Sequence, residues 1–198
     1  MIHYIKHHFK DCDPKIKQWD EPREREFKGK IVKGRPTKGY GSSSTHGFEY
    51  AGKLYKPDTW TTPIYHIKHE AEKLVWEELG ITKKFTFCLA GYYAREGKGI
   101  PHHSDTVPTL DDIVVSISFG APRVFVQRTY QNPIKKHTNT SELNDVTKEN
   151  FIIDERFFVL EHGDVLIFDG HNQMHSTHCV PDLQLTKERI NLTFRSGL

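Results

Sequence analysis

From Phe85 onward the sequence breaks into short segments rich in β-branched and aromatic residues, parted by Gly, Pro and Asn: 85–93, 112–119, 123–127, 151–160, 164–168 and 189–195. That spacing predicts an all-β sandwich or barrel. The polar stretch 129–150, which contains Asn132-Pro133, reads as an excursion between strands. Ahead of the strands one helix is predicted over 61–79, with Thr62 as its cap and Pro63 in its first turn. Ile64, Ile67, Ala71, Leu74 and Val75 recur at helical spacing before Gly80 ends it. His66 and His69 lie on this helix with no carboxylate at matching spacing, so they read as surface side chains. At 198 residues and 36% hydrophobic content, the chain suffices for one domain with a core.

The last segment has a definite chemical pattern. Strand alternation puts Ile190, Leu192 and Phe194 on one face and Arg189, Asn191, Thr193 and Arg195 on the other. Two arginines on one sheet face want an anion. Fully extended they would stand roughly 20 Å apart, so they serve either two different acidic groups or two ends of one site. Taken alone, a solvated edge strand explains the pattern equally well.

Charge is uneven upstream. Over 23–38 the basic residues Arg23, Arg25, Lys28, Lys30, Lys33, Arg35 and Lys38 outnumber Glu24 and Glu26, which gives either a phosphate-facing segment or a solvated basic loop. Residues 39–47 read as a flexible loop and 48–52 as a short aromatic strand. Tyr40, Tyr50 and Tyr55 there either stack on a base or simply pack. No stretch approaches the roughly 20 apolar residues of a membrane span, and the first residues form no apolar signal segment. Cys12, Cys88 and Cys179 are few, odd in number and far apart, which speaks against a disulfide framework. An intracellular protein is the expectation.

Two His-x-Asp triplets occur, His103-Ser104-Asp105 and His162-Gly163-Asp164, and among 13 histidines such a match arises easily by chance. Gly163 makes the second a turn before a strand. The first precedes His178 by enough chain for several strands to bring the two together, so His103, Asp105 and His178 are the favoured metal ligands. Two imidazoles and one carboxylate leave coordination positions open, which suits non-haem Fe(II) with an organic cosubstrate and O2, while zinc binds the same ligands. A cosubstrate such as 2-oxoglutarate has two carboxylates, which would give the two arginines their anion. His102, His171 and His175 read as supporting or surface side chains, and Cys179 as a packed thiol.

The order His103-x-Asp105, His178, then Arg189-x-Asn191-x-Thr193-x-Arg195 resembles the AlkB family of Fe(II)/2-oxoglutarate-dependent dioxygenases. Further along the resemblance, Arg35-Pro36-Thr37-Lys38-Gly39-Tyr40-Gly41, Tyr50-Ala51-Gly52 and Pro57-Asp58-Thr59-Trp60 look like its nucleotide-recognition lid, and Val115 to Gly120 with Arg123-Val124-Phe125 like its strand pair after the first ligands. Gly163-Asp164-Val165-Leu166 looks like its turn before the distal histidine. The resemblance implies a mainly β fold with bracing helices, a double-stranded β-helix or jelly roll, carrying an N-terminal lid. It implies one domain over 1–198, with extension, lid and bracing helix to about 82 and the core over about 83–198. By the same resemblance His103, Asp105 and His178 would hold Fe(II), and Arg189, Arg195, Asn191 and Tyr93 would hold 2-oxoglutarate, with Tyr92 competing for the role of Tyr93. Tyr50, Arg35, Lys38 and Tyr40 would bind substrate. The implied activity is demethylation of N-alkylated bases in DNA or RNA by a monomer, releasing formaldehyde, succinate and CO2. The alternatives are an oxygenase acting on a protein or small molecule, and a non-catalytic jelly-roll module.

Three positions depart from the family pattern. Gly91 stands where many members have Asn, Thr106-Val107 where base-repair members have an acidic residue, and Ser176 where an aromatic residue is common. Asp111 and Asp112 are the nearest carboxylates that could replace the missing one.

Overall fold

A computed structural model of the chain describes residues 2–22, 24–27, 29–42, 48–50, 53–105, 111, 113–134 and 150–197. In chain order the N-terminal elements are β1 (Ile2–Ile5), β2 (Glu24–Phe27), β3 (Lys30–Lys33), β4 (Thr37–Gly41), β5 (Phe48–Tyr50), β6 (Lys53–Tyr55), β7 (Asp58–Thr59) and helix α1 (Thr62–Leu79). There follow β8 (Phe87–Tyr93), β9 (Ile100–His103), β10 (Val114–Gly120), β11 (Arg123–Tyr130), β12 (Ile152–Leu160), β13 (Val165–Phe168), the short helix α2 (Gly170–His175), β14 (Ser176–Val180) and β15 (Arg189–Arg195).

Two sheets organise these strands. The larger runs β1-β13-β10-β15-β8-β4-β7 and the smaller β12-β11-β14-β9, while β2-β3 and β5-β6 are separate hairpins. From β8 to β15 the chain passes between the sheets at each connection except β11 to β12, which is the double-stranded β-helix that the sequence resemblance implies. The N-terminal strands β1, β4 and β7 extend the larger sheet. Residues 135–149, most of the expected excursion, lie outside the described residues, and the excursion's first two residues, Thr129 and Tyr130, belong to β11.

Alternation along β15 decides what each side of the larger sheet meets. Leu192 and Phe194 are fully buried on the side that packs against Ile64, Ile67, Ala71, Leu74 and Val75 of α1. Arg189 and Arg195 consequently point between the sheets, where they are 2% and 6% exposed. Helix α1 begins at Thr62, one residue later than expected, and its extended N-cap residue is Thr61 rather than Thr62. Gly80 closes it in the left-handed conformation, φ 67°, its N–H donating to the Trp76 carbonyl at 2.9 Å.

Two sequence expectations change. Gly39 and Gly41 are buried in β4 rather than in a loop. A Cβ on Gly41 would lie 2.8 Å from Pro57, so glycine here permits close approach of backbone. The second His-x-Asp triplet is a structural fastening. Asp164, fully buried, accepts from the Tyr4 hydroxyl at 2.7 Å and from the backbone N–H groups of His7 and Glu161 at 2.8 and 2.9 Å. Gly163, at φ 85°, makes the turn that places this carboxylate against β1.

Within α1, the buried Glu72 accepts from the Lys68 ammonium at 2.6 Å and from the Phe85 N–H at 2.8 Å. Replacing it leaves Lys68, 7% exposed, without its carboxylate. Glu72→Ala is therefore expected to cost about 3–5 kcal/mol in equilibrium urea denaturation, against less than about 1 kcal/mol for the exposed Glu70→Ala.

Candidate active site

Antiparallel pairing of β14 with β9 sets His178 directly opposite His103, with ring centroids 4.3 Å apart. Asp105 follows β9 by two residues and returns its carboxylate to the same place. Its Oδ1 lies 4.0 Å from His103 Nε2 and its Oδ2 lies 3.7 Å from His178 Nε2. One ligand atom from each of the three falls within 4.8 Å of the others, the sole such cluster among the described residues. The His103 ring has its Nδ1 at 3.0 Å from the Pro101 carbonyl; Nδ1–H donates there, which turns the Nε2 lone pair toward the set. Phe125 stacks on His178 at 5.1 Å and Phe168 packs beside it at 5.2 Å, so the distal ring rests against two aromatics that also touch each other.

Charge favours the form that binds a metal. Burial pushes His178 down to about 3 and lowers His103 as well, so both imidazoles are neutral with a lone pair available. Burial alone would raise Asp105, but Arg195, His178 and His103 overcome it and hold the carboxyl well below the usual carboxylate range. Arg195 does this by direct contact, Nη2 donating to Oδ1 at 2.6 Å. Two neutral imidazoles and an ionised carboxylate form the set that the sequence favoured for Fe(II).

A second polar centre lies along the same strand. The Nη2 group of Arg189 donates to Ser118 Oγ at 2.9 Å and to Asn191 Oδ1 at 3.1 Å. Asn191 is itself fixed, accepting from Ser116 Oγ and donating to Thr193 Oγ1. Arg189 Nε and Nη1 are buried and make no hydrogen bond. Burial lowers the guanidinium's pKa; the Tyr93 phenol opposes that shift, while Arg123 and Arg35 add to it. Buried N–H groups without acceptors cost about 1–3 kcal/mol each, so this guanidinium suits a carboxylate presented from the cavity. The residues therefore fit both parts of the expected pair, a divalent metal at the triad and a cosubstrate carboxylate at Arg189.

Other expected site residues are placed as follows. Tyr93 is 2% exposed with Arg189 4.8 Å from its ring centroid, whereas Tyr92, its competitor, packs beside Trp19. Arg35 also reaches the Tyr93 ring, at 5.1 Å. Lys38 and Tyr40 lie on β4 and have other partners. Lys38 is paired with Asp20 at 3.2 Å and Asp58 at 2.6 Å, and Tyr40 is packed in the core under α1. Alternation turns both away from the face shared by Thr37 and Gly91. The side chains of Tyr50, Tyr55 and His171, and residues Thr106, Val107 and Asp112, lie outside the described residues. Asp111 is held by Lys83 at 2.5 Å. His102 contacts Thr177 Oγ1 at 3.2 Å outside the triad, and the three cysteines form no disulfide.

Sequence reading missed two participants. Ser118 had no signal beyond its place in an alternating strand. Arg123, 1% exposed, donates through Nη2 to the Gly97 and Pro181 carbonyls and lies 5.4 Å from the Tyr93 ring centroid. An arginine in register with Phe125 and Gln127 on one strand face was the available clue.

Comparison with known proteins agrees with this arrangement. The family model for the 2OG-Fe(II) oxygenase superfamily matches residues 6–195. The chain is 31% identical over 153 residues to the alpha-ketoglutarate-dependent dioxygenase alkB homolog 3 of Rattus norvegicus, covering 75% of this chain and 46% of that protein. It is 34% identical over 140 residues to the Homo sapiens protein of the same name, covering 69% and 43%. The chain thus spans less than half the length of these relatives. The solved structure of OsALKBH1 superposes at a TM-score of 0.48 and 21% identity, covering 81% of this chain and 77% of that one.

Asp105→Asn keeps the shape of the ligand and removes its charge. Since loss of a group that merely supports a ligand costs about 10–100-fold in metal affinity, this substitution is expected to weaken Mn(II) or Co(II) binding, measured by calorimetry, by more than about 100-fold.

Proposed function

The chain belongs to the 2OG-Fe(II) oxygenase superfamily, in its AlkB family, and from that premise we propose that it is an Fe(II)- and 2-oxoglutarate-dependent dioxygenase that demethylates N-alkylated bases in DNA or RNA. The observation that carries the reading is the coincidence, between two sheets, of a neutral His103/His178 pair and an ionised Asp105 with a buried Arg189 that keeps two nitrogens, Nε and Nη1, unengaged.

His103, Asp105 and His178 would hold the iron, which with 2-oxoglutarate and O2 supplies the oxidising chemistry. The chain's own residues do the positioning. Arg195 keeps Asp105 ionised and oriented. Arg189, fixed by Ser118 and Asn191, receives a cosubstrate carboxylate through Nε and Nη1. Tyr93 supports that guanidinium with its ring, and Phe125 and Phe168 exclude water from the flank of His178. As a cosubstrate ligand in its own right, Arg195 remains part of the proposal.

The nucleic-acid substrate is supported by the basic run 23–38, two stretches of which form the β2-β3 hairpin ahead of β4. A target base reaches such a buried set from a single strand or when turned out of a duplex. Among the described residues no helix is long and apolar enough to cross a membrane.

The test is to incubate the protein with Fe(II), 2-oxoglutarate and oligonucleotides carrying 1-methyladenine, 3-methylcytosine or N6-methyladenine, each in single- and double-stranded DNA and RNA. Iron-dependent succinate release, with loss of one methylene equivalent by mass from at least one oligonucleotide, is expected. Succinate release without any such loss would move the substrate to a protein or small molecule, and no succinate from the iron-loaded protein would sink the enzyme reading. Arg189→Ala is expected to raise KM for 2-oxoglutarate by about tenfold or more, as for a lost charge-assisted contact.

A further inference from the structure

Three guanidiniums surround the ring of Tyr93, with Arg189, Arg35 and Arg123 at 4.8, 5.1 and 5.4 Å from its centroid. Like charges repel more strongly in a low dielectric, and among the described residues no carboxylate comes within ion-pair distance of any of the three. Arg123 is tied to backbone carbonyls, and Arg189 to Ser118 and Asn191. Arg35 arrives from the opposite side. It precedes β4 by two residues, so its side chain shares the inward face of Thr37, which pairs with Gly91.

Gly91 is what admits it. A Cβ at that position would lie 2.7 Å from Arg35 Nε and 3.3 Å from Nη2, so the guanidinium occupies the room a side chain would take. Arg35 Nε is buried and makes no hydrogen bond, as is true of Nε and Nη1 of Arg189.

We propose that Arg35 is a cosubstrate-binding residue, which closes over the carboxylate taken by Arg189 and holds it from the side of the N-terminal segment. This moves Arg35 from the expected substrate lid to the cosubstrate pocket, and it rests on the dioxygenase reading above. A nucleic-acid phosphate is the poorer occupant, because a buried Nε beside a ring that is 2% exposed is closed to a polymer backbone.

The experiment titrates the full chain, loaded with Mn(II) in the absence of oxygen, with N-oxalylglycine, an unreactive dianionic isostere of 2-oxoglutarate, by calorimetry. Wild type, Arg35→Ala, Gly91→Ala and the double variant are compared. Each single substitution is expected to raise Kd by about tenfold or more. The double variant is expected to be no weaker than the weaker single one, since the new methyl acts by displacing Arg35. Should Arg35→Ala fail to fold, Gly91→Ala alone carries the test. An unchanged Kd in the folded variants overturns the inference and leaves the oxygenase reading intact, whereas wild type that takes up Mn(II) but no N-oxalylglycine overturns both. An unchanged Kd accompanied by weaker oligonucleotide binding in Arg35→Ala assigns the residue to the substrate, and also overturns the proposal.

Discussion

Burial of two arginines on one strand is the constraint to which the interior answers. Moving a guanidinium out of water costs several kcal/mol unless it is paired or well hydrogen-bonded. The hydrophobic face of β15 leaves no alternative, because Leu192 and Phe194 must meet α1 and their neighbours must then point inward. The two cations are treated differently. Arg195 receives a carboxylate from the chain itself, Asp105, while Arg189 receives only neutral oxygens and keeps donors unengaged. The first arrangement fixes an acidic metal ligand and the second leaves a place for an outside anion. Of the two arginines, Arg195 thus meets an acidic group within the chain, and Arg189 does not.

What was legible in the sequence is what repeats at short range. Strand β15 falls on the expected residues because strict alternation over seven positions is a strong period-two signal. Helix α1 shifts by one residue at its start for want of a side-chain cap. Strands β9 and β14 were not legible, being four and five residues of His, Pro, Ser, Thr and Cys with little hydrophobic pattern. Strand β4 was read as loop beyond Lys38 because its glycines mimic turn composition, although their role is to let Pro57 and Phe87 approach. The choice between the two His-x-Asp triplets was legible in the sequence, from the turn residue Gly163 and the spacing of the first triplet to His178. The turn at Gly163, with Asp164 bonded to Tyr4 and His7, shows that the second binds the fold to itself.

Strand faces also divide the N-terminal segment. Arg35 and Lys38 are three residues apart in one basic run, yet alternation sends one to the cavity and the other to Asp20 and Asp58. Tyr40 follows Lys38 to the core under α1. Composition alone assigns all of them to a phosphate-facing lid, because net positive charge says nothing about direction. The described strands thus give Lys38 and Tyr40 partners within the chain.

The charges lining the cavity point to the kind of cosubstrate it suits. With both imidazoles neutral, Asp105 is paired with Arg195, while Arg35, Arg123 and Arg189 gather around the Tyr93 ring. Arginine does not shed its proton to relieve such crowding. Guanidiniums without a paired carboxylate, beside a triad that suits a divalent cation, favour a ligand with more than one negative charge, and 2-oxoglutarate is a dianion. Because binding free energies are reciprocal, an anion that relieves this repulsion also strengthens the hold on the cation. Tyr93 makes the cluster tolerable in the meantime, since its ring lies within 5.4 Å of three guanidiniums and each such contact contributes roughly 0.5–2 kcal/mol. The same aromatic side chain therefore permits the excess charge on which cosubstrate binding depends.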